Sequence, residues 1–236
     1  MTKNYLKHLV LFLAAAAIVG AVDESVVDTD SPPVYNEGDY EKPVFIDEGS
    51  YGAVSKVREK KTGKIYALKT VLPEPGGYEH ARNEINALKR LEHKNIVRMV
   101  SWSDIRDKQK DKPVHIVLEW MPCDLRHAIK NHPEIKENRR EILHQILEGV
   151  AYIHSKKLAH DDLSLKNILI DPANMSVKIC DFGFCFDVEL EENFWGLSMD
   201  GYHQDILGVV SLMAHLYLDE SSPKSVSFRV FSIEEV

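Results

Sequence analysis

The spacing of apolar residues changes once along this chain, near Pro122, and that change limits the folds it can adopt. Before this point the pattern predicts three strands and a helix, at 53–58, 64–70, 114–120 and 78–92. After it the chain predicts a long helix and two short strands, at 138–155, 167–170 and 177–180. Strands first and helices later predict a two-lobed α+β fold with its functional site between the lobes.

The composition predicts one folded domain and excludes one class of partner. The chain has 236 residues, of which 44% are apolar and 28% charged, which is enough for a single sizeable core. Its formal net charge is -8, whereas proteins that bind nucleic acid usually carry a basic surface. We therefore expect no nucleic-acid partner.

The N-terminal residues differ from the rest of the chain. Lys3 and Lys7 precede an apolar run at 9–22 that contains several small residues, which is the layout of a signal peptide over residues 1–21. The run is shorter than the roughly 20 residues that a membrane-spanning helix needs. We predict secretion without a permanent membrane span, with a cytoplasmic location as the alternative. Residues 22–43 are acidic and contain prolines, so they predict a flexible linker.

A glycine pair and a later pair of charges are the first candidates for a site. Gly49 and Gly52 lie on a strand turn where backbone N–H groups could approach a phosphate, although such pairs also mark ordinary turns. Lys69 lies between apolar neighbours of a strand, and Glu84 lies in the apolar stripe of the 78–92 helix. A buried carboxylate needs a cation, so each charge could serve the other. The alternative is a lysine that reaches water beside a solvated glutamate.

Two further segments carry oxygen groups in an order that suits phosphoryl transfer. They are residues 160–167 and, beyond them, Asp181-Phe182-Gly183. This chemistry needs a carboxylate that orients the acceptor hydroxyl and oxygen ligands that hold Mg²⁺ against the phosphates. Asp162, Asn167 and Asp181 supply those groups. Either aspartate alone would be read as a turn or helix cap, but the ordered set, preceded by the glycine turn, the lysine and the glutamate, is specific.

These segments together resemble a eukaryotic protein kinase, and the resemblance covers residues 44–236. Its nearest branch is the cyclin-dependent-kinase-like serine/threonine kinases. Three stretches carry it, residues 84–97, 118–125 and 160 onward. The resemblance implies a lobe of strands at 44–121, a helical lobe at 122–236, and ATP and Mg²⁺ as cofactors. It also implies a protein substrate.

The resemblance implies roles for particular residues. Lys69 should contact the α- and β-phosphates of ATP and pair with Glu84, Asp162 should be the catalytic base, and Asn167 and Asp181 should bind Mg²⁺. The glycine-rich turn over the phosphates comprises Asp47, Gly49, Ser50, Tyr51 and Gly52. The adenosine should be held by Val54, Ala67 and Leu169, by the backbone of Glu119 and Met121, and by Asp124 at the ribose. Leu88, His160 and Phe182 should stack into one column.

The chain departs from this family at positions that face the substrate. Asp47 replaces the first glycine of the turn, and we expect its charge to weaken ATP binding by about tenfold. Asp161 replaces the arginine that usually grips a phosphorylated activation segment, so control by phosphorylation is not expected. Ser164 stands where serine/threonine kinases carry a lysine, and Lys166 could substitute for it, which leaves the acceptor class open.

The last part of the sequence predicts a shortened helical lobe. The Ala-Pro-Glu that usually ends the activation segment is absent, and the helices that complete such a lobe are not found before Val236. Residues 205–213 predict either the helix that supports the catalytic loop or an ordinary core helix.

These features leave several functions open. The first is a working kinase that transfers the γ-phosphoryl group of ATP to a protein hydroxyl, in particular that of Ser or Thr. The alternatives are a nucleotide-binding pseudokinase that acts as a scaffold or decoy, and a non-functional fragment. The segment 78–84 shares little with a cyclin-binding helix beyond its glutamate, so a cyclin-like partner is not favoured.

Overall fold

A computed structural model describes residues 34–49, 51–105, 112–189 and 202–218 of the chain. The predicted signal peptide, Ser50 and the residues after 218 lie outside this part, so the predictions made for them stay predictions. In the part that the structure describes, no helix is long and apolar enough to cross a membrane.

The first lobe is a five-stranded antiparallel sheet with one helix packed on it. The sheet order is β1-β2-β3-β5-β4. The strands are β1 Val44–Gly49, β2 Gly52–Arg58, β3 Ile65–Val71, β4 Met99–Trp102 and β5 Val114–Glu119, and the helix is α1 Gly77–Arg90. The helix ends two residues before the predicted boundary because Leu91 is already extended.

The two faces of this sheet have different partners, as the alternation of a strand requires. On β3, Tyr66 and Leu68 belong to a small outer cluster that also contains Tyr40. Ala67 packs against the main core on the opposite face, the face that also carries Lys69. A 3₁₀ turn at Glu37–Asp39 precedes Tyr40. Because Tyr40 packs in the outer cluster, the described end of the predicted linker, residues 34–43, contacts the outer face of the sheet.

The second lobe is mainly helical. Its helices are α2 Leu125–Asn131, α3 Glu134–Ser155 and α4 His203–Tyr217. Its strands are short, β6 Cys123–Asp124, β7 Leu158–Ala159, β8 Ile168–Asp171, β9 Ser176–Ile179 and β10 Phe186–Asp187. They form a three-stranded sheet in the order β6-β8-β9 and a two-stranded pairing of β10 with β7. Helix α3 buries a stripe at i, i+4, i+8 and i+11 that consists of Ile142, Ile146, Val150 and Ile153.

One core runs through both lobes and sets their relative position. Two backbone hydrogen bonds join β9 to the connection between α1 and β4 in the first lobe. Val97 N donates to Ile179 O at 2.9 Å, and Ile179 N donates to Asn95 O at 2.9 Å. Side chains of both lobes belong to a single buried cluster that includes Ile116 and Ile168. The predicted two-lobed α+β fold is confirmed, and the predicted site residues lie where the lobes meet.

Candidate active site

Lys69 is the residue that connects the two lobes at the site. It lies in the middle of β3, paired with Val54 on one side and Ile116 on the other, so its backbone is fixed from both sides. Its ammonium lies 2.6 Å from Glu84 Oε2 on α1 and 2.7 Å from Asp181 Oδ1 in the second lobe. The predicted pairing of Lys69 with Glu84 is confirmed, and Asp181 joins it as a third member.

The electrostatic interactions of the three groups favour the charged forms of Lys69 and Asp181. Burial lowers the pKa of Lys69, but the carboxylates of Glu84 and Asp181 outweigh it and raise that pKa above its usual range. Burial raises the pKa of Asp181, and the ammonium outweighs it, so the pKa of Asp181 is lowered. The Glu84 side chain is 0% exposed, and its burial raises the pKa of its carboxyl although the Lys69 ammonium opposes that shift. The chain of charges therefore joins β3, α1 and the second lobe.

Asp162 and Asn167 form the second half of the site, on the loop between β7 and β8. The amide nitrogen of Asn167 donates to Asp162 Oδ2 at 2.7 Å and to Asp162 O at 2.8 Å. These bonds fix the carboxylate in the loop. Burial raises the pKa of Asp162, while the hydrogen bond from Asn167 opposes that shift. A fixed carboxylate of this kind is suited to accept a proton from a hydroxyl group.

A buried carboxylate on α4 accepts hydrogen bonds from the backbone of this loop. Asp205 is 1% exposed, and its Oδ2 accepts from His160 N at 2.9 Å while its Oδ1 accepts from Asp161 N at 2.8 Å. His154 Nε2 lies 2.8 Å from Asp205 Oδ2. Of the two readings of residues 205–213, the supporting helix is confirmed.

The stacked column between the lobes is also present in part. The rings of His160 and Phe182 lie with centroids 4.8 Å apart, and both residues are 0% exposed. His160 Nε2 lies 3.0 Å from Cys180 O, which fixes the imidazole against the strand that leads to Asp181. Leu88 on α1 belongs to the same buried core. The aromatic members thus hold the catalytic loop and the segment that begins at Asp181 in one register.

The predicted magnesium ligands fit that cation in chemistry. Both hydrogen bonds of the Asn167 side chain to Asp162 use its nitrogen, which leaves the amide oxygen as a donor atom for a metal. Asp181 has a backbone φ of +65°, and its carboxylate is 34% exposed although one oxygen pairs with Lys69. Amide and carboxylate oxygens are the protein ligands that Mg²⁺ prefers. Residues Asn167 and Asp181 are therefore able to hold it.

The residues predicted to hold adenosine lie along the mouth between the lobes. Val54 and Ala67 lie on the sheet face that carries Lys69, and Leu169 lies on β8 opposite Asp124. Glu119 ends β5 and Met121 follows it. The Glu119 carboxylate accepts from Lys178 Nζ at 2.9 Å, which ties this connection to the second lobe.

Asp124 has a structural role in addition to the one predicted. Its Oδ1 accepts from His127 N at 2.6 Å and so caps the N-terminus of α2. The cap fixes the carboxylate beside β6, at the same edge as the connection between the lobes.

The glycine-rich turn is closed by its own backbone. Gly49 pairs with Gly52, whose φ of +153° and contact with the Thr70 carbonyl leave no room for a side chain. Asp47 is exposed, and its Oδ1 accepts from Glu48 N at 2.9 Å. Tyr51, at the tip, turns toward α1. The part of the turn nearest the site is therefore the backbone of Gly49 and Gly52, with the exposed carboxylate of Asp47 close to it in sequence.

Sequence reasoning missed two sets of contacts between α1 and the segment after Asp181. His80 packs against the rings of Tyr51 and Phe184, and Arg90 NH1 donates to Asp187 Oδ2 at 2.9 Å. His80 is one helical turn before Glu84 and on the same face of α1, so the i, i+4 spacing was a signal that could have found it. Arg90 and Asp187 are 97 residues apart, and no local pattern connects them.

The position before Asp162, which departs from the family pattern, differs from its neighbours in backbone conformation. Asp161 has a φ of +63° and is exposed, and its N–H donates to Asp205. Because position 161 is an aspartate, it offers no guanidinium group to bind a phosphate. Ser164 is half-buried and Lys166 is exposed on the same loop.

Comparison with known proteins agrees with this geometry. Residues 40–222 match the protein kinase domain family. Cyclin-dependent kinase B2-1 of Oryza sativa subsp. japonica is 35% identical over 156 residues, an alignment that covers 61% of this chain and 47% of that kinase. The chain thus matches about half the length of that relative. With the match to the family extending over most of its length, the chain belongs to the protein kinase family.

Proposed function

We propose that this protein transfers the γ-phosphoryl group of ATP to a serine or threonine hydroxyl of a protein. One observation carries the proposal most directly, the joint placement of Lys69, Glu84 and Asp181 in one ion-paired group across the lobes. The similarity to a cyclin-dependent kinase, together with the resemblance of the sequence motifs to cyclin-dependent-kinase-like serine/threonine kinases, supports the choice of a serine or threonine hydroxyl. Asp162 lies on the adjoining loop with its carboxylate fixed by Asn167, as an acceptor-orienting group must be.

Each residue has a separate task in this reaction. The Lys69 ammonium is held by two carboxylates at the sheet face, where it can bind phosphate oxygens and offset their charge. Asp162 orients the acceptor hydroxyl and takes its proton as the hydroxyl oxygen bonds to the γ-phosphorus, while the bond from that phosphorus to the β–γ bridging oxygen breaks and ADP leaves. When bound at Asn167 and Asp181, Mg²⁺ would neutralise charge on the phosphate groups. Catalysis then consists mainly of positioning and electrostatic stabilisation, as in phosphoryl transfer generally.

The substrate side of the site supports transfer without control by phosphorylation of this chain. Asp161 carries a negative charge where a phosphate-binding arginine would be needed. A phosphate placed near Asp161 would be repelled. We propose that the catalytic loop instead takes its shape from Asp205, whose three hydrogen bonds lie within the described structure.

Transfer of ³²P from ATP tests the proposal. The full chain is incubated with Mg²⁺ and a generic protein substrate, together with Lys69→Met and Asp181→Asn. We expect Mg²⁺-dependent incorporation by the wild type and none above background by either variant. Acid hydrolysis of the labelled protein then distinguishes phosphoserine and phosphothreonine from phosphotyrosine. Equal incorporation by all three proteins would overturn the proposal.

Calorimetry with ATP and Mg²⁺ separates the kinase from a pseudokinase. A nucleotide-binding pseudokinase would give three results together. The wild type would bind Mg·ATP, Asp181→Asn would weaken that binding, and no transfer would occur even in a single turnover. Absence of both binding and transfer in a protein that unfolds cooperatively would reject both functions. A protein with no cooperative unfolding would be the non-functional fragment.

A further inference from the structure

His80 lies at the centre of an aromatic cluster that joins three parts of the active site. Its ring stacks on Tyr51, with centroids 4.3 Å apart and planes inclined by 23°. It meets Phe184 edge to face, with centroids 5.1 Å apart and planes inclined by 86°. Tyr51 is the tip of the glycine-rich turn, His80 belongs to α1, and Phe184 follows Gly183. We call these three residues the aromatic clasp.

The backbone of Gly183 fits directly beneath the His80 ring. A Cβ atom added at Gly183 would overlap three atoms of that imidazole, its Cε1, Nε2 and Nδ1. The ring is 5% exposed and confined between Tyr51 and Phe184, so it cannot swing away without opening the cluster. Since Gly183 does not have a positive φ, the ring and not the backbone conformation demands glycine here. The imidazole and this peptide are packed as one unit.

The contacts of His80 indicate packing more than charge. Nε2 lies 3.7 Å from Asp181 Oδ1, beyond hydrogen-bonding distance, and Nδ1 is buried without a partner among the described residues. Burying ring nitrogens that make no hydrogen bond is unfavourable, because each loses its hydrogen bonds to water. Its area against two aromatic rings and a glycine backbone is what remains to explain its place. Aromatic rings in stacked and edge-to-face arrangements attract each other in addition to the effect of the area that they bury.

We infer that His80 is a positioning residue, which holds the glycine-rich turn and the Asp181 segment at a fixed distance from each other for Mg·ATP. This inference rests on the proposed function, since it names a residue that prepares the same site. Without the ring, Tyr51 loses its stacking partner and the Gly183 peptide loses the surface against which it rests. Both the phosphate-covering turn and Asp181 then sample more positions before nucleotide binds.

The test uses the full chain and the variants His80→Ala, His80→Phe, Gly183→Ala and the double variant His80→Ala/Gly183→Ala. Calorimetry measures the Kd for ATP with Mg²⁺. We expect His80→Ala to weaken binding by about tenfold, the equivalent of two lost aromatic contacts. His80→Phe, which retains the rings, should bind within about threefold of the wild type. Gly183→Ala should weaken binding, and adding His80→Ala should recover part of that loss because the obstructing ring is gone.

Hydrogen exchange of the nucleotide-free protein supplies a readout that does not depend on catalysis. Exchange should accelerate in His80→Ala at both the glycine-rich turn and residues 182–184, and His80→Phe should restore the wild-type rates. The matched control is His93→Ala, which removes a different histidine–tyrosine stack, with Tyr152 at 4.8 Å. It should alter neither the Kd nor exchange at the clasp.

The inference is overturned if His80→Ala binds and exchanges like the wild type, or if it leaves the loss in Gly183→Ala undiminished. If His80→Ala fails to fold, His80→Phe and Gly183→Ala decide the matter by the same two measurements. If the wild type shows no phosphoryl transfer but the variants show the expected exchange pattern, the proposed kinase reaction is rejected and the positioning role of His80 is supported. The two failures are therefore distinct.

Discussion

Glu84 and Asp205 are two buried carboxylates that hold the two halves of the active site in different ways. Glu84 is 0% exposed and pairs with one cation, Lys69 on β3 of the same lobe, while its second oxygen has no partner among the described residues. Asp205 is 1% exposed and accepts from two backbone N–H groups and one imidazole, all in the second lobe. The first contact joins a strand to a helix through one ion pair, whereas the second joins α4 to a loop and to α3 through three hydrogen bonds.

The difference indicates which half of the site is adjustable. A displacement of α1 would break the pair of Lys69 with Glu84 but would leave that lysine its second partner, Asp181. No comparable displacement releases Asp205, because its donors belong to the loop that it supports. We therefore expect α1 to move without unfolding of the whole domain, whereas the loop at 160–167 and Asp205 should form and break their contacts together.

The largest expected effect follows from removing Asp205. Asp205→Ala leaves the backbone N–H groups of His160 and Asp161, and the imidazole of His154, without their acceptor, which should lower the free energy of unfolding by about 3–5 kcal/mol. Denaturation in urea, followed by tryptophan fluorescence, measures it. Asp205→Asn retains one acceptor oxygen and should lose less. It also gives a measurable value if the alanine variant does not fold.

Asp171→Ala is the matched control for this change. Its Oδ1 also accepts from a backbone N–H, that of Ala173, but at an exposed turn, so the loss should stay below about 1 kcal/mol. A loss in Asp205→Ala no larger than in Asp171→Ala would remove the contrast between the two halves.

Replacing Glu84 should affect catalysis more than stability. In Glu84→Gln, Lys69 keeps Asp181, so no buried charge is left alone and the free energy of unfolding should change by less than about 2 kcal/mol. Phosphoryl transfer should fall by about 100-fold, because Lys69 is no longer held to α1 in its productive position. Urea denaturation and the transfer assay measure the two quantities on the same preparation.

Glu79→Gln on the same helix is the control, because Glu79 is 70% exposed and pairs only weakly with Arg82. It should change neither quantity appreciably. A stability loss in Glu84→Gln equal to that of Asp205→Ala would show that both carboxylates are structural.

The contrast between local pattern and tertiary contact also explains what the sequence could predict. The α+β division, the strand with Lys69 and the helix with Glu84 follow from apolar spacing. The cost of burying either charge alone made their pairing possible but left a solvated pair as the alternative, and the resemblance to the kinase family predicted the pairing. The roles of Asp162, Asn167 and Asp181 came from the order of motifs. All of these are properties of segments, or of segments in sequence.

Other features depend on where distant segments meet. The choice between a supporting helix and an ordinary core helix for residues 205–213 stayed open, because apolar spacing does not record which loop a carboxylate reaches. The contact of His80 with Gly183, over 100 residues later, has no counterpart in local spacing. The packing of Tyr40 on the outer sheet face was likewise missed, since a stretch rich in prolines and acidic residues predicts a linker.

The acid side of the pH profile tests whether Asp162 acts as the base. Burial raises the pKa of this carboxyl, so protonation on lowering the pH should begin above the ordinary aspartate value of about 3.9. Below that pKa, kcat/KM should fall about tenfold per pH unit. Initial rates between pH 4 and 8, in buffers of about constant ionic strength, give the profile.

Intrinsic fluorescence at each pH must show that the protein is still folded, because loss of structure would also lower the rate. A limb at or below the ordinary aspartate value, in a protein that stays folded, would exclude Asp162 as the titrating base.

The smallest effect is expected at the far end of α1. Arg90 bridges Asp187 and the carbonyl of Lys156, but its side chain is 45% exposed, so Arg90→Ala should cost only about 0.2–1 kcal/mol of stability. Added salt should reduce that difference. Transfer should stay within about threefold of the wild type, because Glu84 and not Arg90 reaches Lys69. Arg82→Ala, which breaks an exposed pair on the same helix, is the control. A tenfold or greater loss of transfer in Arg90→Ala, with Arg82→Ala unaffected, would move the adjustable contact from Glu84 to the end of α1.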